Sequence, residues 1–288
     1  MLAINEEKLV MISVMGSIHH PTKGINPYVL SAVDHKAHIL PGVGGITYNV
    51  KVGDPCMGMA WDHVEPGVSL KNQNESENQA LQILACIGNR ATVVNGDAKG
   101  AVGTVTGKHG GINHVLCHFP AEDLEKMVIG DKIQIMAQGQ GMTIADEPGV
   151  KAMNLDPRLW AEMGAELREG VLHVPVAARV PAYFMGSGLG ANNAVAGDYD
   201  ITTADPAELK RHGLDKLRFG DMVFLEDCDT SMGRCYRKGA GTVGIVVHSD
   251  CVLAGHGPGV TSLLTAWEGR LCGDIDSGAN IANYLNLK

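Results

Sequence analysis

The chain has 288 residues, with 37 glycines against four Phe and six Tyr, and its 23 basic and 32 acidic side chains give a formal charge of −9. That length buries a sizeable core and fits two domains, and glycine with many short Val and Ile runs favours barrels and turns over helical bundles. Phosphate binding depends on concentrated positive charge, so an acidic chain with no Lys/Arg cluster argues against nucleic acid and anionic membrane surfaces as partners.

At the N-terminus Glu6, Glu7 and Lys8 precede a short apolar run, which lacks the basic start and long apolar core of a signal peptide. No apolar stretch reaches membrane-spanning length, so the expectation is a soluble, cytoplasmic protein. Val10 to Val14 predicts a first strand, and Ile46 to Val52 (ITYNVKV) alternates as a half-buried strand should. Asp62-His63-Val64-Glu65-Pro66-Gly67 then sets a dense polar cluster inside an apolar stretch. Neighbouring Asp and His diverge on a strand and serve one site only from a turn, which the Pro-Gly pair permits. There His63 reads either as a general base oriented by a carboxylate or as part of a surface turn. Ser76-Glu77-Asn78-Gln79 resembles a capping box, with Ala80, Leu81, Ile83, Leu84 and Ile87 following at helical spacing.

The stretch from Gly88 to Phe119 carries a barrel hairpin and three histidines. Val93 and Val94 run into the turn-forming Asn95-Gly96-Asp97, and Gly100, Gly103 and Gly107 punctuate short apolar pieces, where they allow positive φ or close backbone approach. His109, followed by Gly110-Gly111, is expected on an uncrowded rim loop as a catalytic candidate. His114 and His118 fall on a strand, about 13 Å apart at Cα, too far to share an ion easily. A short helix opens at Pro120-Ala121-Glu122-Asp123. The loop-like run from Asp146 to Asp156 places a boundary near residue 150, giving a β-barrel domain over 1–150 and an α+β domain over 151–288.

Two further helices are marked by Asp156-Pro157 and Asp205-Pro206 at their starts and by Gly164 and Gly213 at their ends. A Gly-Asp pair recurs at Gly53-Asp54, Gly130-Asp131 and Gly220-Asp221, and the last two pairs feed alternating apolar runs. Met185 to Asn193 is glycine-rich without the dinucleotide spacing, so it reads as an anion nest or a substrate-covering loop. On an extended chain Asp198 and Asp200 point the same way, about 6.6 Å apart at Cα, close enough to converge on a hard cation or to cap turns. Asp227 and Asp229 offer the same geometry. His248 ends a strong apolar run, Cys251 follows it, and His256 sits between glycines where its ring is accessible. Cys251 is a nucleophile only if a histidine lowers its pKa, and otherwise core. The seven cysteines are widely spaced with no CxxC, which suggests neither a zinc ribbon nor a thioredoxin-type site.

Three resemblances follow from these residues. VVNGDAKGAVGTVTG resembles the KOW motif of SH3-like barrels and implies a barrel hairpin. The blocks GGITYNVKVGD, DHVEPGVS, GDAKGAVGTVTGKHGGINHVL, HVPVAARVPAYFMGSGLGA, GDYDI and AGHGPGV identify nearly the whole chain as similar to domain-of-unknown-function family 4438, which implies a β-rich, two-part fold and no assigned activity. GDYDI, LRFGDMVFLED and GIVVHSD are fainter echoes of acetamidase/formamidase-type amidases, which use a metal ion to activate water. Their acidic-His strand motif is replaced here by Met222-Val223-Phe224.

The expected protein is therefore mainly β with α+β elements: an N-terminal SH3-like barrel and a C-terminal β-rich α+β domain. The expected function is metal-dependent hydrolysis of a small amide or related polar metabolite. A divalent ion such as zinc would be held by Asp198, Asp200, Asp227 and His248, and His63, His109, His256 and Cys251 would be catalytic. Metal-free acid/base chemistry by His and Cys, as in an isomerase or lyase, and a non-catalytic binding protein with an SH3-like barrel are the alternatives. Exposed barrel edges make a homo-oligomer the expected assembly.

Overall fold

The computed structural model describes residues 2–23, 25–40, 42–189 and 193–287. The chain is mostly β, with 38% strand and 14% helix, and its N-terminal part is a closed six-stranded barrel. Around the barrel the order is Ile12–Ile18, Lys132–Ala137, Arg90–Val93, Val102–His109, His114–His118 and Gly67–Lys71. Closure comes from Ser17 opposite Lys71, where the last strand meets the first. Alternation fills the interior: along Lys132–Ala137 Ile133, Ile135 and Ala137 are buried while their neighbours face out. Val68, Leu70, Ala91, Val105 and Val115 complete the packing.

The three Gly-Asp pairs build the same turn. Gly53, Gly130 and Gly220 all have positive φ (99°, 96° and 84°). In each the following Asp accepts a hydrogen bond from the backbone N–H three residues earlier: Lys51 to Asp54 (2.9 Å), Val128 to Asp131 (3.0 Å) and Arg218 to Asp221 (2.8 Å). Glycine supplies the left-handed step and the carboxylate satisfies the turn's free donor. In the hairpin, glycine serves close approach: a Cβ on Gly103 would lie 2.2 Å from the His118 carbonyl oxygen.

Three local expectations are displaced. The first strand is Ile12–Ile18 rather than Val10 to Val14. Only Ile46–Thr47 of ITYNVKV pairs, because the chain then turns toward Gly53-Asp54. The helix Glu75–Leu84 is capped by Asn74, whose side chain accepts from Glu77 N, so the cap sits two residues before Ser76. The helices Pro157–Glu162 and Pro206–Arg211 have the Asp156 and Asp205 caps and first-turn prolines expected of them.

The C-terminal part is a half-barrel. Its main sheet runs Ala178–Val180, Met222–Asp229, Cys235–Val246, Gly259–Ala266, Tyr199–Ile201 and Met185–Leu189, and Lys151–Ala152 also pairs with Gly259–Ala266. The Met185 to Asn193 segment is thus an edge strand over Met185–Leu189, where it pairs with Tyr199–Ile201. Positions 190–192 lie outside the described residues. A smaller sheet joins Glu166–Arg168, Val171–Val176 and Leu271–Ile275. The two parts share one core, in which Ile87 and Leu116 belong with Val243, Ile245 and Leu263. Among the described residues no helix is long and apolar enough to cross a membrane.

Candidate metal centre

The strand Val102–His109 carries the barrel rim into the second sheet. Lys108 N donates to Thr261 Oγ1 (3.3 Å), and that hydroxyl donates back to the Lys108 carbonyl (3.0 Å). A Cβ on Gly107 would lie 2.7 Å from Val247, so glycine is what lets the two layers touch. One residue beyond the strand, Gly110 N donates to Asp198 Oδ1 at 2.7 Å. These contacts bring the histidine-bearing rim onto the acidic turn of the half-barrel.

His109 ends its strand and is buried, not displayed on an open loop, because the second sheet covers the rim. Its Nδ1 bonds Glu65 Oε1, and His114 Nδ1 lies 2.9 Å from Glu65 Oε2. Ser69 also donates to Glu65. Burial would raise the Glu65 carboxyl, but the His114 and His109 imidazoles outweigh it and hold Glu65 well below the usual range. Burial, and the positive charge of His248, push His109 down. A neutral His109 that donates Nδ1–H to Glu65 keeps its Nε2 lone pair free, the arrangement by which a carboxylate orients an imidazole for a cation.

Asp198 and Asp200 flank the buried Tyr199 at the start of Tyr199–Ile201, and alternation turns both carboxylates to one side. Both face His248, which lies just past Cys235–Val246 and is fully buried. His248 Nε2 is 2.8 Å from Asp198 Oδ2 and 3.6 Å from Asp200 Oδ1. Its Nδ1 lies 2.9 Å from the Ser249 carbonyl oxygen, which can only accept, so Nδ1 carries the proton. Only on losing its second proton would His248 present a lone pair beside the two carboxylates, as a metal ligand does. In the protein alone the carboxylates outweigh burial and hold the His248 pKa well above its ordinary value. The cluster calls for positive charge, as protons or as a metal ion.

His63 sits at φ 48° in the turn that the Pro-Gly pair allowed, with Nδ1 3.2 Å from Asp62 Oδ2 and Nε2 3.8 Å from Asp200 Oδ2. Burial lowers its pKa, and Asp200 and Asp62 more than reverse that, raising it to about 11. Its ring lies 4.8 Å from His248 and 5.5 Å from both His109 and His256, centroid to centroid. His256, about a third exposed, points Nδ1 at Asp200 Oδ2 from 3.0 Å. Donor atoms of His63, Cys251 and His256 lie within 4.8 Å of one another. Burial pushes the Cys251 thiol up to about 11 against the pull of His63, so in the protein alone it is not a thiolate at neutral pH.

Asp227 stands apart. It takes φ 50° at a bulge between Met222–Asp229 and Cys235–Val246, and its Oδ1 accepts from Gly239 N at 2.7 Å. The left-handed residue breaks the strand alternation, and Asp229 instead faces Ser231 and Arg237. Asp227 is therefore a bulge residue, not a neighbour of Asp198 and Asp200. Sequence reasoning weighed Glu65 only as a carboxylate orienting His63 and His114 only as a strand histidine, and placed neither in the site. The signal for Glu65 was a carboxylate beside Pro66-Gly67 at the entry to the buried strand Gly67–Lys71, where only a buried partner makes it tolerable.

Two features fit the cluster to a cation. First, Asp198 Oδ2, His248 Nε2 and His256 Nδ1 are all buried and make no hydrogen bond among the described residues, although they lie as close as 2.8 Å to one another's groups. Buried carboxylates and imidazoles packed this closely need positive charge among them, as protons or as a cation. Second, Gly259 floors the cluster, and a Cβ there would lie 1.9 Å from Asp198 Oδ2 and 2.2 Å from His248 Nε2.

The family described as Domain of unknown function (DUF4438), N-terminal, matches residues 30–161, and its C-terminal counterpart matches 162–285. The chain belongs to the DUF4438 family. It is also similar to the crystal structure of TM1086, with 48% sequence identity, a TM-score of 0.92, and coverage of 98% of this chain and 99% of that one. No protein with a curated description matches. In this DUF4438 member the N-terminal part supplies His63, Glu65, His109 and His114, and the C-terminal part supplies Asp198, Asp200, His248, Cys251 and His256.

Proposed function

We propose that this DUF4438 protein is a divalent-metal-dependent hydrolase of a small amide or related polar metabolite, with its ion held by Asp198, Asp200 and His248 beside His109. The observation that carries this reading is the convergence of donor atoms of Asp198, Asp200 and His248 within 4.8 Å of one another in a buried site, while His248 Nδ1 is committed to Ser249. A divalent ion in such a set supplies an acidified water and a Lewis acid at neutral pH. The chain's own groups prepare the rest. Glu65 fixes the tautomer of His109, and Gly110 N–H holds Asp198 in place. His256 reaches from partial exposure to Asp200, which suits it to carry protons between the site and solvent. The amide class is supported by the faint resemblance of GDYDI, LRFGDMVFLED and GIVVHSD to acetamidase/formamidase-type segments, which join one sheet here with Met222-Val223-Phe224 in place of the acidic-His strand motif.

Elemental analysis of untagged protein, followed by assay of chelated and reloaded samples on short amides, tests the reading. A tightly held divalent ion with metal-restored hydrolysis is expected. Absence of any bound ion, with no ion taken up on addition, refutes it and leaves metal-free acid/base chemistry or a binding role. A homo-oligomer is part of the same proposal, supported by the hairpin that exposes Tyr28, Leu30 and Ile39. The seven unpaired cysteines suit a reducing compartment.

A further inference from the structure

Asp200 has two oxygens, and each faces a different set of ligands. Oδ1 lies 3.6 Å from His248 Nε2, on the Asp198 side. Oδ2 lies 3.0 Å from His256 Nδ1 and 3.8 Å from His63 Nε2, on the Cys251 side. Donors that share an ion at about 2.1 Å stand roughly 3.0–3.4 Å apart, by simple octahedral or tetrahedral geometry. The His256 separation falls in that range, and the His248 and His63 separations lie 0.2 and 0.4 Å above it. The second side also has converging donors, since His63, Cys251 and His256 lie within 4.8 Å of one another, and His63 stands between the two sides, within the same distance of His109 and His248. His256 Nδ1 and Asp62 Oδ1 are buried without hydrogen bonds on this same side.

We propose that the centre is dinuclear, with Asp200 bridging one ion held by Asp198 and His248 to a second held by His63, His256 and Cys251. This rests on the hydrolase reading above and deepens it. The two positions differ in chemistry. Two carboxylates and an imidazole suit a hard divalent ion, whereas two imidazoles, a thiolate and one carboxylate oxygen form the four-donor set that zinc favours. Cys251 loses its proton to solvent when it becomes a ligand, so loading the second position releases acid. A carboxylate bridge holds two ions about 3.5–4 Å apart, the spacing of two-metal hydrolytic sites.

The test uses the full-length chain, stripped with chelator and titrated with Co(II) while absorbance and metal content are followed. Two equivalents per chain are expected, one of them bringing a near-ultraviolet thiolate-to-cobalt band. Cys251→Ser is expected to lose that band and one equivalent while it keeps the other, and Asp198→Asn to lose one equivalent while it keeps the band. Mn(II) loading read by electron paramagnetic resonance gives a check without mutation, with an exchange-coupled spectrum expected from the wild type. Uptake of a single ion with no thiolate band and an uncoupled Mn(II) spectrum overturns the bridge and leaves the hydrolase reading standing. Uptake of no ion removes both.

Discussion

Placing a methyl group on the floor of the centre is the most direct perturbation of the metal reading. In Gly259→Ala the new Cβ would stand 1.9 Å from Asp198 Oδ2 and 2.2 Å from His248 Nε2, where ordinary contact begins at 3.4 Å. One or both ligand atoms must therefore retreat by more than 1 Å, against the roughly 0.2 Å tolerance of a metal–ligand distance. Neither has free space: His248 and Asp198 are buried, and Asp198 Oδ1 is tied to Gly110 N. An affinity loss of at least about 100-fold is expected, similar to or larger than that from disturbing a ligand's support. A metal present at about 100 times its Kd stabilises by about 2.7 kcal/mol. At about 2–4 °C per kcal/mol for a chain approaching this size, chelation should lower the wild-type Tm by about 5–10 °C. The assay is thermal unfolding of metal-loaded and chelated samples. Gly259→Ala should show almost no chelator shift, on a baseline lowered by the overpacking cost of about 1–3 kcal/mol. A Gly259→Ala protein that keeps the wild-type metal content and chelator shift would refute the reasoning.

Glu65→Gln takes the charge from an acid that two histidines and a serine share, so urea unfolding should show a loss of about 3 kcal/mol and metal titration a 10- to 100-fold weaker site; unchanged affinity would detach Glu65 from His109. The folded pKa of Glu65 lies below its unfolded value, so its contribution is complete above about pH 4.5 and declines as pH falls toward the folded pKa. Chelated wild type should therefore lose Tm more steeply than Glu65→Gln below that pH, and parallel acid limbs would contradict the assignment. Asp227→Ala should keep full metal content and cost no more than about 1 kcal/mol, because it removes one acceptor from a bulge; a fall in metal content would return Asp227 to the centre. In chelated protein Cys251 should react slowly with iodoacetamide at pH 7, in keeping with a thiol raised to about 11, and a fast stoichiometric reaction would revive it as a nucleophile.

The barrel hairpin was legible because each of its signals is local. A turn cluster, glycines at close approaches and two-residue alternation all act within a few positions. The Gly-Asp turns were legible for the same reason, since glycine and its carboxylate satisfy donors three residues away. Asp198 with Asp200 was readable because strand alternation alone sets their common face. Asp227 with Asp229 obeyed the same rule on paper and failed it, because a left-handed residue at a bulge cancels alternation, and bulges depend on what the neighbouring strand does. His109 shows the other limit. Its flanking glycines promised exposure, but the sheet that buries it is built from residues far along the chain. Glu65 was read only as a partner for His63, because its two actual imidazole partners are distant and no spacing connects them.

The contacts of Lys108 with Thr261 and of Gly110 with Asp198 also fix an order of events in biosynthesis. Every barrel strand, with Glu65 and His109 on its rim, has been made before the ribosome reaches Asp198, Asp200 and His248. A chain arrested near residue 161 has every barrel strand but lacks Asp198 and Asp200, the carboxylates proposed to hold an ion. With the ligand set proposed above, metal acquisition would belong to the finished polypeptide, and Glu65 with its imidazoles waits for the second half to cover it. The proposed centre is then completed at once, with the docking of the last sheet.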